Sequence, residues 1–149
     1  MNTLLKKVLT SALLLGSLFS LQAAHAAPAQ DLKGRNVVLV HGAFADGSSW
    51  DKVIPLLEAR GLHVVAVQNP LSSLNDAVAA TRRVIEQQDG PVVLVGHSWG
   101  GVVISEAGND SKVKSLVYVA AFAPDSGQSI DDMTKGMPAP VWASELHKD

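Results

Sequence analysis

The sequence predicts an α/β domain: a three-layer α/β/α arrangement around a parallel sheet of about four strands. Two observations carry that prediction. Short, continuous Val-rich runs recur along the chain, the pattern of strands covered on both faces. Between them lie segments whose apolar residues recur at helical spacing, and such alternation requires right-handed crossovers between parallel strands.

The elements follow in order. Asn36–Val40 is the first strand and ends at the glycine-punctuated loop His41–Gly47. Ser48 or Ser49 is a natural N-cap, and Trp50, Val53, Ile54 and Leu57 form one apolar helical face that stops at Gly61. Pro55 inside that pattern means either a kinked helix or a restart after an irregular first turn. His63–Gln68 is the second strand, closed by Asn69-Pro70. Leu74, Ala77, Val78, Thr81 and Ile85 mark the buried face of a second helix, whose solvated side carries Arg82, Arg83, Glu86 and Gln87. Val92–Val95 is the third strand. The mostly apolar run Val102–Ala107 is a helix packed on the sheet, and Val113–Val119 is the fourth strand. Beyond Ala120 the chain becomes turn-rich, with Met133, Met137 and Trp142 as its large apolar residues.

The N-terminus has a different character. Lys6 and Lys7 precede the apolar segment 8–21, and Ala24 and Ala26 flank His25, the organisation of an export signal cut after Ala26. Thr10, Ser11, Gly16, Ser17 and Ser20 interrupt that segment, whereas a membrane span takes ~20 apolar residues. The expectation is a periplasmic or secreted protein with no stable membrane insertion after cleavage. Residues 27–35 form a polar leader, 36–123 the core, and 124–149 a loop tail or the start of a cap.

Composition excludes several function classes. Zero cysteines leave no disulfide framework or thiolate metal site. A net charge of −2 without a basic patch lacks the electrostatic term that drives nucleic-acid binding. No histidine or carboxylate spacing suggests a metal. Gly96–Gly101 lacks both the glycine spacing of a dinucleotide fingerprint and the lysine of a P-loop, so no cofactor is expected.

One stretch does carry chemistry. Gly96-His97-Ser98-Trp99-Gly100-Gly101 follows a buried strand and opens a helix, the context of a G-x-S-x-G nucleophile elbow. A sharp turn presents the Ser98 hydroxyl, and glycine at 96 and 100 removes side chains that would collide. The plainer reading of Ser98 is a helix N-cap. The Trp99 amide, at a helix start, is placed to bind an oxyanion, and the Ala43 amide, reached through Gly42, is the candidate second donor. The alternative for His41-Gly42-Ala43 is an ordinary strand-to-helix turn.

A base for Ser98 is harder to find. His41 lies near the oxyanion loop, the turn should aim His97 away from Ser98, His63 begins a strand at the wrong edge of the sheet, and His147 is in the tail. Asp125 follows the fourth strand and reads more simply as a turn residue after Pro124, while Asp131-Asp132 reads as a helix start or solvated loop.

His41-Gly42-Ala43 after a Val-rich strand, the Ser49-Trp50 helix start and the elbow together resemble the α/β-hydrolase superfamily, in its esterase and hydroxynitrile-lyase-like branch, over residues 36–146. The resemblance implies Ser98 as nucleophile, the Trp99 and Ala43 amides as oxyanion hole, and a small-molecule ester-like substrate. It also implies strand order 4-3-5-6 in the family's numbering, with the Ser98 strand between this chain's first and fourth. The family's acid and histidine would fall beyond residue 149. The chain therefore reads as a C-terminally truncated member, inactive or weak, or alternatively as a non-catalytic binding module or non-functional fragment. Val113–Val119 would then be an exposed edge open to self-association.

Overall fold

A computed structural model describes residues 35–145; the export-signal segment 1–26, nearly all of the 27–35 leader and His147 lie outside the described residues. Four strands, β1 (Asn36–Val40), β2 (His63–Val67), β3 (Val92–His97) and β4 (Val113–Val119), form one sheet in the order β2-β1-β3-β4. Every pairing is parallel. This is the expected 4-3-5-6 arrangement, with β3 between β1 and β4.

β1 shows why a continuous apolar run suits the centre of such a sheet. Val38 and Val40 face a core shared with Val78, Ile85, Val103 and Ile104 of the helices α2 (Leu74–Glu86) and α3 (Gly100–Ala107). Val37 and Leu39 point to the other face, against Trp50 of a 3-10 turn (Gly47–Trp50), and Val53, Ile54 and Leu57 at the start of and within helix α1 (Ile54–Glu58). Helices on both faces make three layers.

The structure chooses between open alternatives and corrects some expectations. Pro55 is the second residue of α1, which restarts after the 3-10 turn; in a first turn the missing proline N–H has no partner to lose. The cap of that 3-10 turn is Asp46, whose carboxylate accepts the Ser48 amide, in place of Ser48 or Ser49. In α2, Ala77, Val78, Thr81 and Ile85 are buried as expected, but Leu74 is exposed. As the first helical residue it precedes the turns that meet the sheet, and it lines a surface groove with Trp99, Val102 and Ile130. The turn-rich tail contains a helix, α4 (Ile130–Thr134), started by a capping box between Ser129 and Asp132. The Ser129 hydroxyl, followed by its amide, holds the Asp132 carboxyl below the ordinary carboxylate value.

No described helix is long and apolar enough to cross a membrane. Among the described residues, no three metal-binding side chains cluster.

Candidate active site

β3 runs two residues past its apolar stretch, because Gly96 and His97 continue to pair with Tyr118 and Val119 of β4. The backbone then reverses at Ser98, whose φ is 53°. That left-handed conformation costs a side-chain-bearing residue about 1–2 kcal/mol, and it persists only where the surroundings over-determine it. Here they do. The Ser98 carbonyl accepts two amides, from Gly101 at 3.0 Å and from Phe122 at 3.1 Å, so the loop after β4 braces the turn.

The glycines around Ser98 are required by close backbone approach. A Cβ on Gly96 would sit 2.6 Å from the Gly100 carbonyl oxygen, so this glycine lets the turn close on itself. A Cβ on Gly100 would meet the carbonyls of Val40 and His41 at 2.6 and 2.8 Å, so its role is to seat α3 on the end of β1. At Gly101 the obstacle would be the Phe122 carbonyl.

The loop after β1 lies directly against Ser98. A Cβ on Gly42 would be 3.0 Å from the Ser98 Cβ and 3.4 Å from its Oγ. His41, fully buried, fixes that loop. Its Nε2 accepts the Asn69 amide at 3.0 Å, so Nδ1 carries the ring proton and donates to the Gly42 carbonyl at 2.8 Å. Both nitrogens are therefore committed to the backbone, which rules His41 out as a base. A second tie joins the same loops, as the Gly47 amide donates to Gln68 Oε1. The amides of Ala43 and Trp99 have no acceptor among the described residues. The Trp99 side chain packs on the α2 and α3 core, leaving its amide at the turn.

The other candidates fall as follows. His63 lies at the opposite edge of the sheet, with Nδ1 within 3.2 Å of Asn36 Oδ1 and 3.1 Å of Gln88 Oε1. Asp125 opens a turn that closes when the Gln128 amide donates to its carbonyl, matching the plainer reading. Asp131 and Asp132 start α4. The expectation that the turn aims His97 away from Ser98 is only partly met. No hydrogen bond joins the two side chains, yet His97 Nδ1 and Ser98 Oγ both lie within 3.5 Å of the position a Gly42 Cβ would take. The His97 ring meets Trp50 edge to face, with centroids 6.4 Å apart and planes at 89°.

A strained serine at the end of a central parallel strand, packed against the loop of the neighbouring strand, has a recognised family context. Residues 37–147 match the model of the alpha/beta hydrolase family. The chain belongs to the α/β-hydrolase family. Salicylic acid-binding protein 2 of Nicotiana tabacum is 34% identical over 129 residues, covering 74% of this chain and 50% of the relative. Methylesterase 1 of Arabidopsis thaliana is 32% identical over 133 residues, covering 76% and 51%. The solved structure of an extracellular alpha/beta-hydrolase from a Paenibacillus species superposes with a TM-score of 0.61 at 27% identity, covering 74% of this chain and 48% of that one. The chain thus spans about half the length of the curated relatives it matches.

Three features of this α/β-hydrolase site escaped sequence reading. Phe122 acts through its amide, which carries no residue-type signal. Gly101 stood out only as an additional glycine, and its necessity comes from a segment twenty residues further on. Trp50 fits the helical face that predicted its burial, but its contact with His97 depends on where the fold places the 3-10 turn.

Proposed function

We propose that this α/β-hydrolase acts on small-molecule esters with Ser98 as nucleophile, and that the 149-residue chain alone is weak or inactive. The observation that carries the reading is the Ser98 backbone at φ 53°, a strained turn at the end of a central strand packed against the Gly42 loop. Ser98 Oγ adds to the ester carbonyl carbon, the carbonyl oxygen takes the negative charge toward the amides of Ala43 and Trp99, and collapse of the adduct expels the alcohol. Water then hydrolyses the acyl-serine. The esterase names among the relatives support the substrate class.

Weak turnover follows from what surrounds the hydroxyl. Among the described residues, no carboxylate or histidine nitrogen is hydrogen-bonded to Ser98 Oγ. A serine hydroxyl without a positioned base is a poor nucleophile, and losing triad partners costs about 10⁴–10⁶ in turnover. The test is a fluorophosphonate probe together with p-nitrophenyl acetate. Slow labelling and slow hydrolysis, both lost in Ser98→Ala, are expected. A wild-type chain that never labels would favour the non-catalytic binding module, and an enzyme-like rate would refute the weakness.

Two further parts of the reading concern the whole chain. The segment 1–26 directs export, to be checked by N-terminal sequencing of the exported product for a start at Ala27. The unpaired edge of β4 brings copies together through its exposed apolar stretch Leu116, Val117, Tyr118 and Val119, which follows the one charge of the strand, Lys114. Size exclusion should show a concentration-dependent dimer or larger species, and a monomer at every concentration would refute it.

A further inference from the structure

A nucleophile at Ser98 needs an amide aimed at the oxygen on which charge develops, and which side chain does the aiming is a separate question. We propose that His41 is a positioning residue for that amide: by holding the Gly42 carbonyl it turns the Ala43 N–H toward the reacting oxygen. The inference rests on the reading of Ser98 as nucleophile and of the Ala43 amide as oxyanion donor.

Three observations carry it. First, the Gly42 carbonyl and the Ala43 N–H belong to one peptide group. No peptide bond among the described residues is cis, and in a planar trans peptide the C=O and the N–H point in opposite directions. Whatever holds the carbonyl therefore sets the direction of the amide. His41 Nδ1 donates to that carbonyl at 2.8 Å from a fully buried ring, whereas the Ala45 amide reaches it only at 3.3 Å. Second, the ring cannot turn without losing another bond, since Nε2 accepts the Asn69 amide at 3.0 Å. That bond also sets the tautomer: an accepting Nε2 leaves the proton on Nδ1, the donor that the Gly42 carbonyl requires. Third, Gly42 packs on the nucleophile, its Cβ position lying 3.0 Å from Ser98 Cβ, and the adjoining Ala43 amide has no acceptor among the described residues. The imidazole occupies the carbonyl side of this peptide, and the N–H side is left for substrate.

A second tie on the same loop separates aiming from mere fastening. Gln68 Oε1 accepts the Gly47 amide at 3.0 Å, which holds the far end of the loop without touching the Gly42-Ala43 peptide. If fastening were all that mattered, the two ties would be interchangeable. If His41 aims a peptide, they are not.

The experiment measures the rate at which a fluorophosphonate labels Ser98, normalised to the folded fraction, in wild type, His41→Asn, His41→Gln, Gln68→Met and Ser98→Ala. The asparagine amide nitrogen reaches the place of Nδ1 and can donate to the Gly42 carbonyl. The glutamine amide oxygen reaches the place of Nε2 and can accept the Asn69 amide, but nothing then replaces Nδ1. Labelling builds negative charge on the phosphoryl oxygen, and removing one oxyanion donor costs about 10²–10³ in rate. A misaimed donor in His41→Gln should therefore slow labelling by about tenfold or more, while His41→Asn and Gln68→Met stay within about threefold of wild type. Ser98→Ala should not label. Equal rates in the two His41 variants, the reverse order, or a loss in Gln68→Met as large as that in His41→Gln would overturn the proposal and leave His41 as a fastener of the loop only. The imidazole nitrogen chemical shifts of the wild type give a check that needs no variant: they should place the proton on Nδ1, and a proton on Nε2 would overturn the proposal. In all these cases wild-type labelling still stands, so the nucleophile reading survives. An unlabelled wild type sinks both.

Discussion

β1 and β4 flank the same central strand, run in the same direction and are both rich in valine, yet every residue of β1 is buried and Lys114–Val119 of β4 is exposed. The difference lies in their neighbours. β1 has a strand on each side and helices on both faces, whereas β4 pairs along one edge only. The strand between them inherits the asymmetry at its functional end. The elbow rests on the end of β1 through Gly100, inside the core, and on the segment after β4 through Gly101 and Phe122, at the periphery. A strained serine here leans on one buried support and one half-buried support.

The sharpest way to break that comparison is to wedge a methyl group under each support. Gly100→Ala drives its Cβ into the carbonyls of Val40 and His41, neither of which has room to retreat, and should cost at least about 3 kcal/mol in urea denaturation. Gly101→Ala meets a closer atom, the Phe122 carbonyl, but on a half-buried segment beyond the end of the edge strand, and should cost about 1–2 kcal/mol while lowering the labelling of Ser98. If Gly101→Ala proves the more damaging to stability, the two supports have been ranked wrongly.

A matched pair of truncations tests the strands themselves. Val38→Ala removes a side chain with no exposure and should destabilise by about 2 kcal/mol. Val117→Ala, at a residue 41% exposed, should cost less than about 1 kcal/mol. Equal losses would mean that β4 is covered in solution. Repeating the Val117→Ala melt across protein concentrations tells whether a second copy provides that cover.

A smaller effect isolates the strain at Ser98. Ser98→Gly relieves the left-handed backbone and should be more stable than Ser98→Ala by about 1 kcal/mol, the reverse of the usual ranking of these residues. Chemical denaturation of the two variants side by side measures it, and an alanine variant at least as stable as glycine would remove strain from the account.

The smallest expected effect is on acid stability. The Ser48 hydroxyl, followed by its amide, lowers the Asp46 carboxyl, and the hydroxyls of Ser72 and Ser73 lower Asp76, as Ser129 lowers Asp132. All three are bound more weakly by protons when folded than at the ordinary value of 3.8. Their stabilising contribution is therefore complete above that value and is lost as pH falls through the lower folded values. Thermal melts of wild type and Asp132→Asn should differ above the transition and converge in acid. Because all three groups are exposed, the difference should be small and should shrink further with salt.

Much of the architecture was legible because local patterns and global packing agree in it. The span of β4 and the alternation that dictates parallel pairing follow from residue type and spacing alone. The Asn36–Val40 run announces burial on both faces before any neighbour is known. Boundaries were misread where pairing or capping overrides hydropathy: β3 extends through Gly96 and His97 because β4 continues beside it, and Asp46 takes the cap because its backbone is already extended there. The five-residue α4 was legible only as one of two alternatives, Asp131-Asp132 reading as a helix start or a solvated loop, and the capping-box spacing of Ser129 and Asp132 favours the first.

At the site the division is cleaner still. Residue order is enough to identify the serine that stands between glycines at a strand end, and the loop that follows the neighbouring strand, because strand–turn–helix chemistry is written in adjacent residues. Folding alone spends His41 on two backbone groups, sets Phe122 to brace the Ser98 carbonyl, and packs both His97 and Ser98 against Gly42. Each of those joins residues from different elements, and two of them act through backbone atoms that every residue shares. Spacing along a chain carries no record of such contacts; they exist only once the sheet has brought its strand ends together.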